Sequence, residues 1–235
     1  MRGLFVTGTD TGVGKTVVSA ALIAAMRAAG ARPHAYKPVV TGLDDPSPAG
    51  SEVWPADHEL LGMAAGADAA LVSPISFGPA VSPQLAAELA GERITSARLL
   101  EGAQVAASTG PPGPLVVEGV GGLLAPLNDE WTVCDLAAAL GLPALIVARP
   151  GLGTINHTLL TLRAARDAGV EVRAVVLTPW PAAPGRLEQS NREMIARMGA
   201  VEVVTLDRVS APEVSELARA GSTLPWERWL AGPAA

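Results

Sequence analysis

Short, largely apolar strand-like runs recur along the chain at residues 4–7, 34–40, 115–118, 144–148, 172–177 and 201–206. Each has the length and composition of a strand buried on both faces. Between most of them the apolar positions return every three or four residues, over 15–29, 96–107, 133–140, 157–168, 187–198 and 212–220, and this period predicts helices. Gly30 sits where the first of these helices needs a C′ residue. Buried strands alternating with helices predict an α/β fold, a mostly parallel sheet flanked by helices on both faces. Ligands of such sheets gather at the carboxyl ends of the strands. Two stretches break the alternation: 42–55, rich in Pro, Ser, Asp and Gly, and 73–83. Both read as long loops, which in compact domains are usually functional or mobile. The Pro-Gly cluster at 109–114 reads as a helix-to-strand connection. No internal repeat or domain boundary is visible, so residues 1–235 read as a single domain.

Composition narrows the function classes. At 49% hydrophobic residues and 235 positions the chain can bury a large core. Its formal net charge is -6, with acidic and basic residues interspersed and no basic stripe, so nucleic acid is not an expected partner. Cys134 is the only cysteine, which excludes an intrachain disulfide, a multi-cysteine zinc site and an Fe–S cluster, and fits a reducing cytoplasm. The apolar start Leu4-Phe5-Val6 breaks at once into Gly8-Thr9-Asp10-Thr11-Gly12, leaving no signal-peptide core. No apolar run reaches the roughly 18 residues of a membrane span. A cytoplasmic protein without a membrane partner is expected.

Of the 17 basic residues, only Lys15 and Lys37 are lysines and the other fifteen are arginines. Where arginine fills the tolerant positions, the surviving lysines draw notice. Lysine is a compact ammonium on a flexible stem, able to follow a moving phosphoryl group. Lys15 lies in Gly8-Thr9-Asp10-Thr11-Gly12-Val13-Gly14-Lys15-Thr16, a strand-to-helix turn in which backbone N–H groups and a helix start converge on one point. In this reading Gly12, Val13, Gly14, Lys15 and Thr16, with Val17 behind them, hold the phosphates of a nucleotide. Lys15 reaches the β and γ groups and Thr16 offers its hydroxyl to Mg²⁺. The first glycine stands one residue earlier than the template G-x-x-x-x-G-K-[ST] requires, which makes this a deviant Walker A loop in a P-loop NTPase-like fold.

Mg²⁺ with a triphosphate needs further oxygen ligands. Glu118 ends an apolar strand and precedes Gly119-Val120-Gly121-Gly122, where backbone at Gly121 and Gly122 can approach phosphate closely. It is a candidate ligand, the alternative being a strand-end carboxylate facing solvent. Asp57 stands at a helix start and, as an N-cap, would need no metal. Lys37 lies on a strand running into a loop, with the Thr41 hydroxyl four residues on. Gly151-Leu152-Gly153-Thr154-Ile155-Asn156-His157 follows another strand and opens a helix, a second potential anion site, although Asn156 can simply cap that helix. His34, His58 and His157 share no metal or triad spacing.

Taken in order, "GTDTGVGKT", "YKPVVTG", "VEGVGG" and "GLGTINHTLLT" resemble the dethiobiotin synthetase family, over the chain from the first strand to about Arg166. The resemblance implies an ATP- and Mg²⁺-dependent ligase of biotin synthesis, converting 7,8-diaminopelargonate and CO₂ (or bicarbonate) to dethiobiotin, ADP and phosphate. It implies that Lys37, Lys15 and Thr11 act on the reacting groups, with Lys37 between carbamate and γ-phosphate. It places Thr16, Asp57 and Glu118 around Mg²⁺, and Thr11, Lys37 and Thr41 at the diamine or its carbamate. The family is a homodimer in which backbone at a partner's helix start holds the substrate carboxylate, and Leu152, Gly153, Ile155 and Asn156 match that segment.

One departure bears on the base. Where some relatives carry an adenine-reading Asn, this chain has Thr178-Pro179-Trp180-Pro181. Thr178 cannot offer the planar donor–acceptor pair of an amide. Relaxed selectivity is therefore expected, extending to nucleotides such as CTP. The rival class is a regulatory or partitioning ATPase switch with the same deviant loop. Many of these carry a signature lysine where this chain has Asp10, and they usually present basic or amphipathic surface. Cobalamin-type amidoligases with a related loop usually add a glutaminase domain with a nucleophilic Cys, whereas Cys134 sits in an apolar helical pattern that reads as packing.

Overall fold

The computed structural model describes residues 1–44 and 54–231. The expected loop over 42–55 therefore lies largely outside the described residues. Six strands, β1 (Gly3–Gly8), β2 (His34–Tyr36), β3 (Leu115–Glu118), β4 (Ala144–Ala148), β5 (Val172–Trp180) and β6 (Glu202–Asp207), form one sheet in the order β2-β3-β1-β4-β5-β6. Every strand pair in it is parallel. The helices are α1 (Lys15–Ala28), α2 (Asp57–Ala65), α3 (Ala69–Val72), α4 (Pro83–Leu89), α5 (Ser96–Ser108), α6 (Val133–Leu140), α7 (Thr154–Asp167), α8 (Arg186–Gly199), α9 (Val214–Gly221) and α10 (Trp226–Ala231).

The two-sided burial inferred from continuous apolar strands follows the pleat, which sends successive side chains to opposite faces. On β1, Leu4 and Val6 pack among Val18, Leu22 and Met26 of α1, Leu61 of α2 and Leu217 of α9. Phe5, between them, packs on the other face with Leu99 of α5 and Leu136 of α6. β1 and β4 are therefore central, and β1, between β3 and β4, delivers its loop to the middle of the sheet's carboxyl edge.

Five elements differ from the pattern. The apolar run 34–40 forms strand only to Tyr36, because Pro38 has no N–H to continue a ladder. The chain leaves the sheet there and bonds to the 72–78 segment, Lys37 N donating to Val72 O at 2.9 Å and Val40 N to Ile75 O at 3.0 Å. α7 starts at Thr154, three residues before the expected helix, with Gly153 at the N-cap in a left-handed conformation (φ 89°). Asn156 consequently lies inside the first turn and does not cap it. The short helices α3, α4 and α10 carry too few turns to show a period. Among the described residues no helix is long and apolar enough to cross a membrane.

Candidate active site

The turn from β1 into α1 is tight for a physical reason. A Cβ on Gly8 would come within 2.8 Å of Val13 and 3.1 Å of the Lys15 stem, so glycine is what lets the loop fold back over the strand. Gly14 caps α1 with φ 97° and no side chain caps the helix, which leaves the first N–H groups to an external acceptor. Lys15 Nζ donates to the Asp10 carbonyl at 3.1 Å, closing the loop across itself. A Cβ on Gly14 would lie 2.9 Å from the Thr178 methyl, so the end of β5 stands directly over the loop.

Beside the loop, β3, the β2 exit and the start of α2 gather Glu118, Lys37 and Asp57 around Thr16. Its hydroxyl lies 2.7 Å from Asp57 Oδ1 and 2.9 Å from Glu118 Oε1. Lys37 Nζ donates to Asp57 Oδ2 and, at 2.6 Å, to Glu118 Oε1. Glu118 is completely buried and Lys37 nearly so, while the Asp57 side chain is 47% exposed. The alternative of a solvent-facing Glu118 is thereby set aside. Asp57 is likewise not the N-cap of α2: Ala56 occupies that place, and Glu59 Oε2 accepts from Ala56 N at 2.9 Å. Gly119 N donates to Val6 O at 2.8 Å, holding the glycine turn after β3 against the end of β1.

Burial alone would lower the Lys37 ammonium, but the charges of Glu118 and Asp57 and its hydrogen bonds to both hold it above the ordinary lysine value. Asp57 is the mirror case: burial favours its neutral form, and Lys37 and the Thr16 hydroxyl outweigh this to hold the carboxyl below its usual range. Lys15 is lowered, chiefly by burial and further by the nearby Lys37 charge, against the pull of Glu118 and Asp57. A buried ammonium bonded to a carbonyl lacks the anionic partner that a phosphate would supply.

A cleft of about 760 Å³ opens above these groups, lined by Thr11, Lys15, Thr16, Lys37, Thr41 and Asp57 together with Gly12, Gly14, Val17, Gly121 and Gly122. Val13 and Glu118 lie buried behind it, and Thr178 beside it, at 2% exposure. Leu152, Gly153, Ile155 and Asn156 do not line it. Leu152 projects into solvent at 92% exposure, and Ile155 packs on the β4–β5 side of the sheet. Trp54, Pro55, Val81 and Pro83 also line the cleft, which sequence reasoning did not anticipate. It also missed Arg149, whose Nη2 donates to the Thr11 carbonyl at 3.0 Å, and Asn191, which holds the carbonyls of Pro150 and Gly151 at 2.9 and 3.1 Å. One arginine among fifteen and one amide on a polar helix carry no sequence signal.

The residues present fit a hard divalent cation. Glu118 Oε2 is buried with no hydrogen-bond partner among the described residues, and with Thr16 Oγ1 and the Asp57 carboxylate it forms an all-oxygen set beside the phosphate loop.

A parallel sheet whose central strand enters a deviant Walker A loop, with acidic and hydroxyl oxygens beside it, defines a P-loop nucleotide-binding protein. The comparisons with known proteins narrow the class. A family described as an AAA domain matches residues 2–207. An ATP-dependent dethiobiotin synthetase of Anaeromyxobacter dehalogenans strain 2CP-C is 43% identical over 227 residues, 95% of this chain and 97% of its own length. One from Mycobacterium sp. strain JLS is 40% identical over 235 residues, 99% of each chain. A third, from Anaeromyxobacter dehalogenans strain 2CP-1, is 46% identical over 178 residues, 75% of this chain. The chain belongs to the ATP-dependent dethiobiotin synthetase family.

Proposed function

We propose that the cleft binds Mg²⁺-ATP with 7,8-diaminopelargonate and CO₂ and closes the ureido ring, giving dethiobiotin, ADP and phosphate. The observation that carries this is the Lys37 ammonium, buried against Glu118 and Asp57 beside Thr16 and at the wall of the phosphate-loop cleft.

One amine of the diamine adds to CO₂ and loses a proton, giving a carbamate. A carbamate oxygen then attacks the γ-phosphorus, and the bond to the ADP oxygen breaks. The second amine adds to the carbonyl carbon of the mixed anhydride, the carbon–oxygen bond breaks, phosphate leaves and the amine sheds its proton. Such chemistry asks for positioning and charge stabilisation more than for covalent help from the protein. Lys37 neutralises the carbamate and γ-phosphate oxygens as they meet. Lys15 leaves the Asp10 carbonyl for the phosphates, and Thr11 and Thr41, which both line the cleft, orient the diamine. Gly12, Val13, Gly14 and Val17 hold the phosphates through backbone, with Gly121 and Gly122 facing them. Thr16, Asp57 and Glu118 would hold Mg²⁺, which when bound neutralises phosphate charge.

Leu152, Gly153, Ile155 and Asn156 receive the substrate carboxylate of a second copy in a homodimer. This is supported by a glycine-capped helix start left open to solvent rather than turned into its own cleft. Thr178, buried over Gly14 of the phosphate loop and followed by Pro179, offers no amide edge to a base, which supports use of triphosphates besides ATP, CTP among them. The chain works as one domain, in the cytoplasm. The reading is tested by following dethiobiotin and phosphate together: equal amounts, both requiring the diamine, are expected, and phosphate without dethiobiotin contradicts it.

A further inference from the structure

The structure assigns a positioning role to Arg149: we infer that it holds the Asp10–Thr11 segment of the phosphate loop in place when nucleotide has drawn Lys15 away. Arg149 follows the last residue of β4, the strand next to β1. Its Nη2 donates to the Thr11 carbonyl at 3.0 Å and stands 3.8 Å from Asp10 Oδ2, while Asp10 Oδ1 accepts from Thr11 N at 2.7 Å. Lys15 Nζ grips the preceding carbonyl, that of Asp10, at 3.1 Å. Two neighbouring peptides of the lengthened loop are thus held from different sides, one by the loop's own lysine and one by the adjacent strand.

The two ties differ in what happens on binding. Lys15 is buried beside the cleft, and by the reading of the site above, on which this inference rests, it moves to the phosphates. Among the described residues, no side chain other than Lys15 and Arg149 donates to Asp10 or Thr11. With Lys15 gone, Arg149 is the remaining side chain that ties Asp10 and Thr11 to the sheet, two residues beyond the last backbone bond of the loop to β4, Thr9 N to Val147 O at 3.0 Å, and Thr11 lines the cleft from this segment. The Arg149–Asp10 ion pair is exposed and contributes little by itself. The directional bond to a backbone carbonyl is what sets where the Thr11 peptide and hydroxyl stand. Arg149 touches neither phosphate nor diamine in this account and acts through Thr11. Its removal therefore falls on the nucleotide-bound enzyme and spares the empty one.

The test compares the parent with Arg149→Met, which keeps the stem and removes the donors, and with Arg149→Lys. Thermal unfolding is followed with and without Mg²⁺-ATP, and steady-state synthesis is measured across diamine concentrations. For Arg149→Met the empty protein is expected to unfold within about 2 °C of the parent. Its Mg²⁺-ATP-induced rise in midpoint should shrink, and kcat/KM for the diamine should fall roughly 10- to 100-fold. Arg149→Lys should lie between. An Arg149→Met protein equal to the parent in both assays overturns the inference. So does one whose midpoint drops equally with and without Mg²⁺-ATP while its KM for the diamine stays unchanged, because that is a purely structural loss. A parent that shows no Mg²⁺-ATP shift and makes no dethiobiotin overturns the reading of the site and the inference with it.

Discussion

The Lys37 ammonium lies 2.6 Å from Glu118 Oε1 at the carboxyl edge of the sheet, Glu118 fully buried and Lys37 nearly so at the wall of the cleft. A buried carboxylate tolerates that position because a cation meets it there. Lys37→Met should strand Glu118 and cost about 3–5 kcal/mol of folding stability, with the double change Lys37→Met/Glu118→Gln recovering part of the loss. Urea unfolding of the three proteins measures this, and a double variant less stable than the single one would contradict it.

The same ammonium fills the space among the oxygens of Asp57 and Glu118, next to Thr16, where Mg²⁺ is proposed to sit. In the protein without nucleotide, Lys37 and a divalent cation therefore compete for the same carboxylates. Lys37→Met should show a larger Mg²⁺-induced rise in unfolding midpoint than the parent, since a ligand stabilises according to its affinity for the folded state. A smaller rise would mean that Lys37 helps to hold the metal.

The pH dependence of stability follows from the directions of the two shifts. Asp57 titrates below its ordinary 3.8 in the folded protein, so its contribution is fully present above that value and is lost as pH falls through the lower, folded value. Lys37 titrates above its ordinary 10.5, so its contribution is fully present below that value and is lost as pH rises through the higher one. Between about pH 5 and pH 9 the pair should add no slope. Asp57→Asn should flatten the acid limb of a midpoint-against-pH curve and leave the neutral plateau level.

Thr178 directs its methyl towards Gly14 and is followed by Pro179, leaving no amide edge at that position to read a base. Values of kcat/KM for ATP, CTP and GTP should lie within a hundredfold of one another. A preference for ATP beyond that requires about 2.7 kcal/mol of discrimination and would show that other groups read the base.

The parts of the site legible in the sequence are those whose chemistry constrains neighbouring positions. The loop from Gly8 to Thr16 declares itself because backbone N–H groups, a lysine and a hydroxyl must follow one another in a strand-to-helix turn. Glu118 was marked by the apolar strand before it and the glycines after it, and Lys37 by the scarcity of lysine. Asp57 was ambiguous because its meaning lies in contact with Thr16, 41 positions away, which only the packing of α2 beside α1 creates. Arg149 was invisible for the same reason at greater range, its partner Thr11 being 138 positions away. In the fold, the parallel order followed from buried strands separated by helices. The early end of β2 depended on what Pro38 does to a ladder, and the start of α7 on which glycine near 151–153 turns left-handed.

The most direct measurement is phosphate release and dethiobiotin formation by the purified protein with Mg²⁺, ATP and bicarbonate, with and without 7,8-diaminopelargonate, for the parent and Lys37→Ala. Release should require the diamine, match the dethiobiotin formed, and fall by about a hundredfold or more in the variant. Triphosphate hydrolysis indifferent to the diamine, or equal in the two proteins, would contradict it and favour a nucleotide switch built on the same loop.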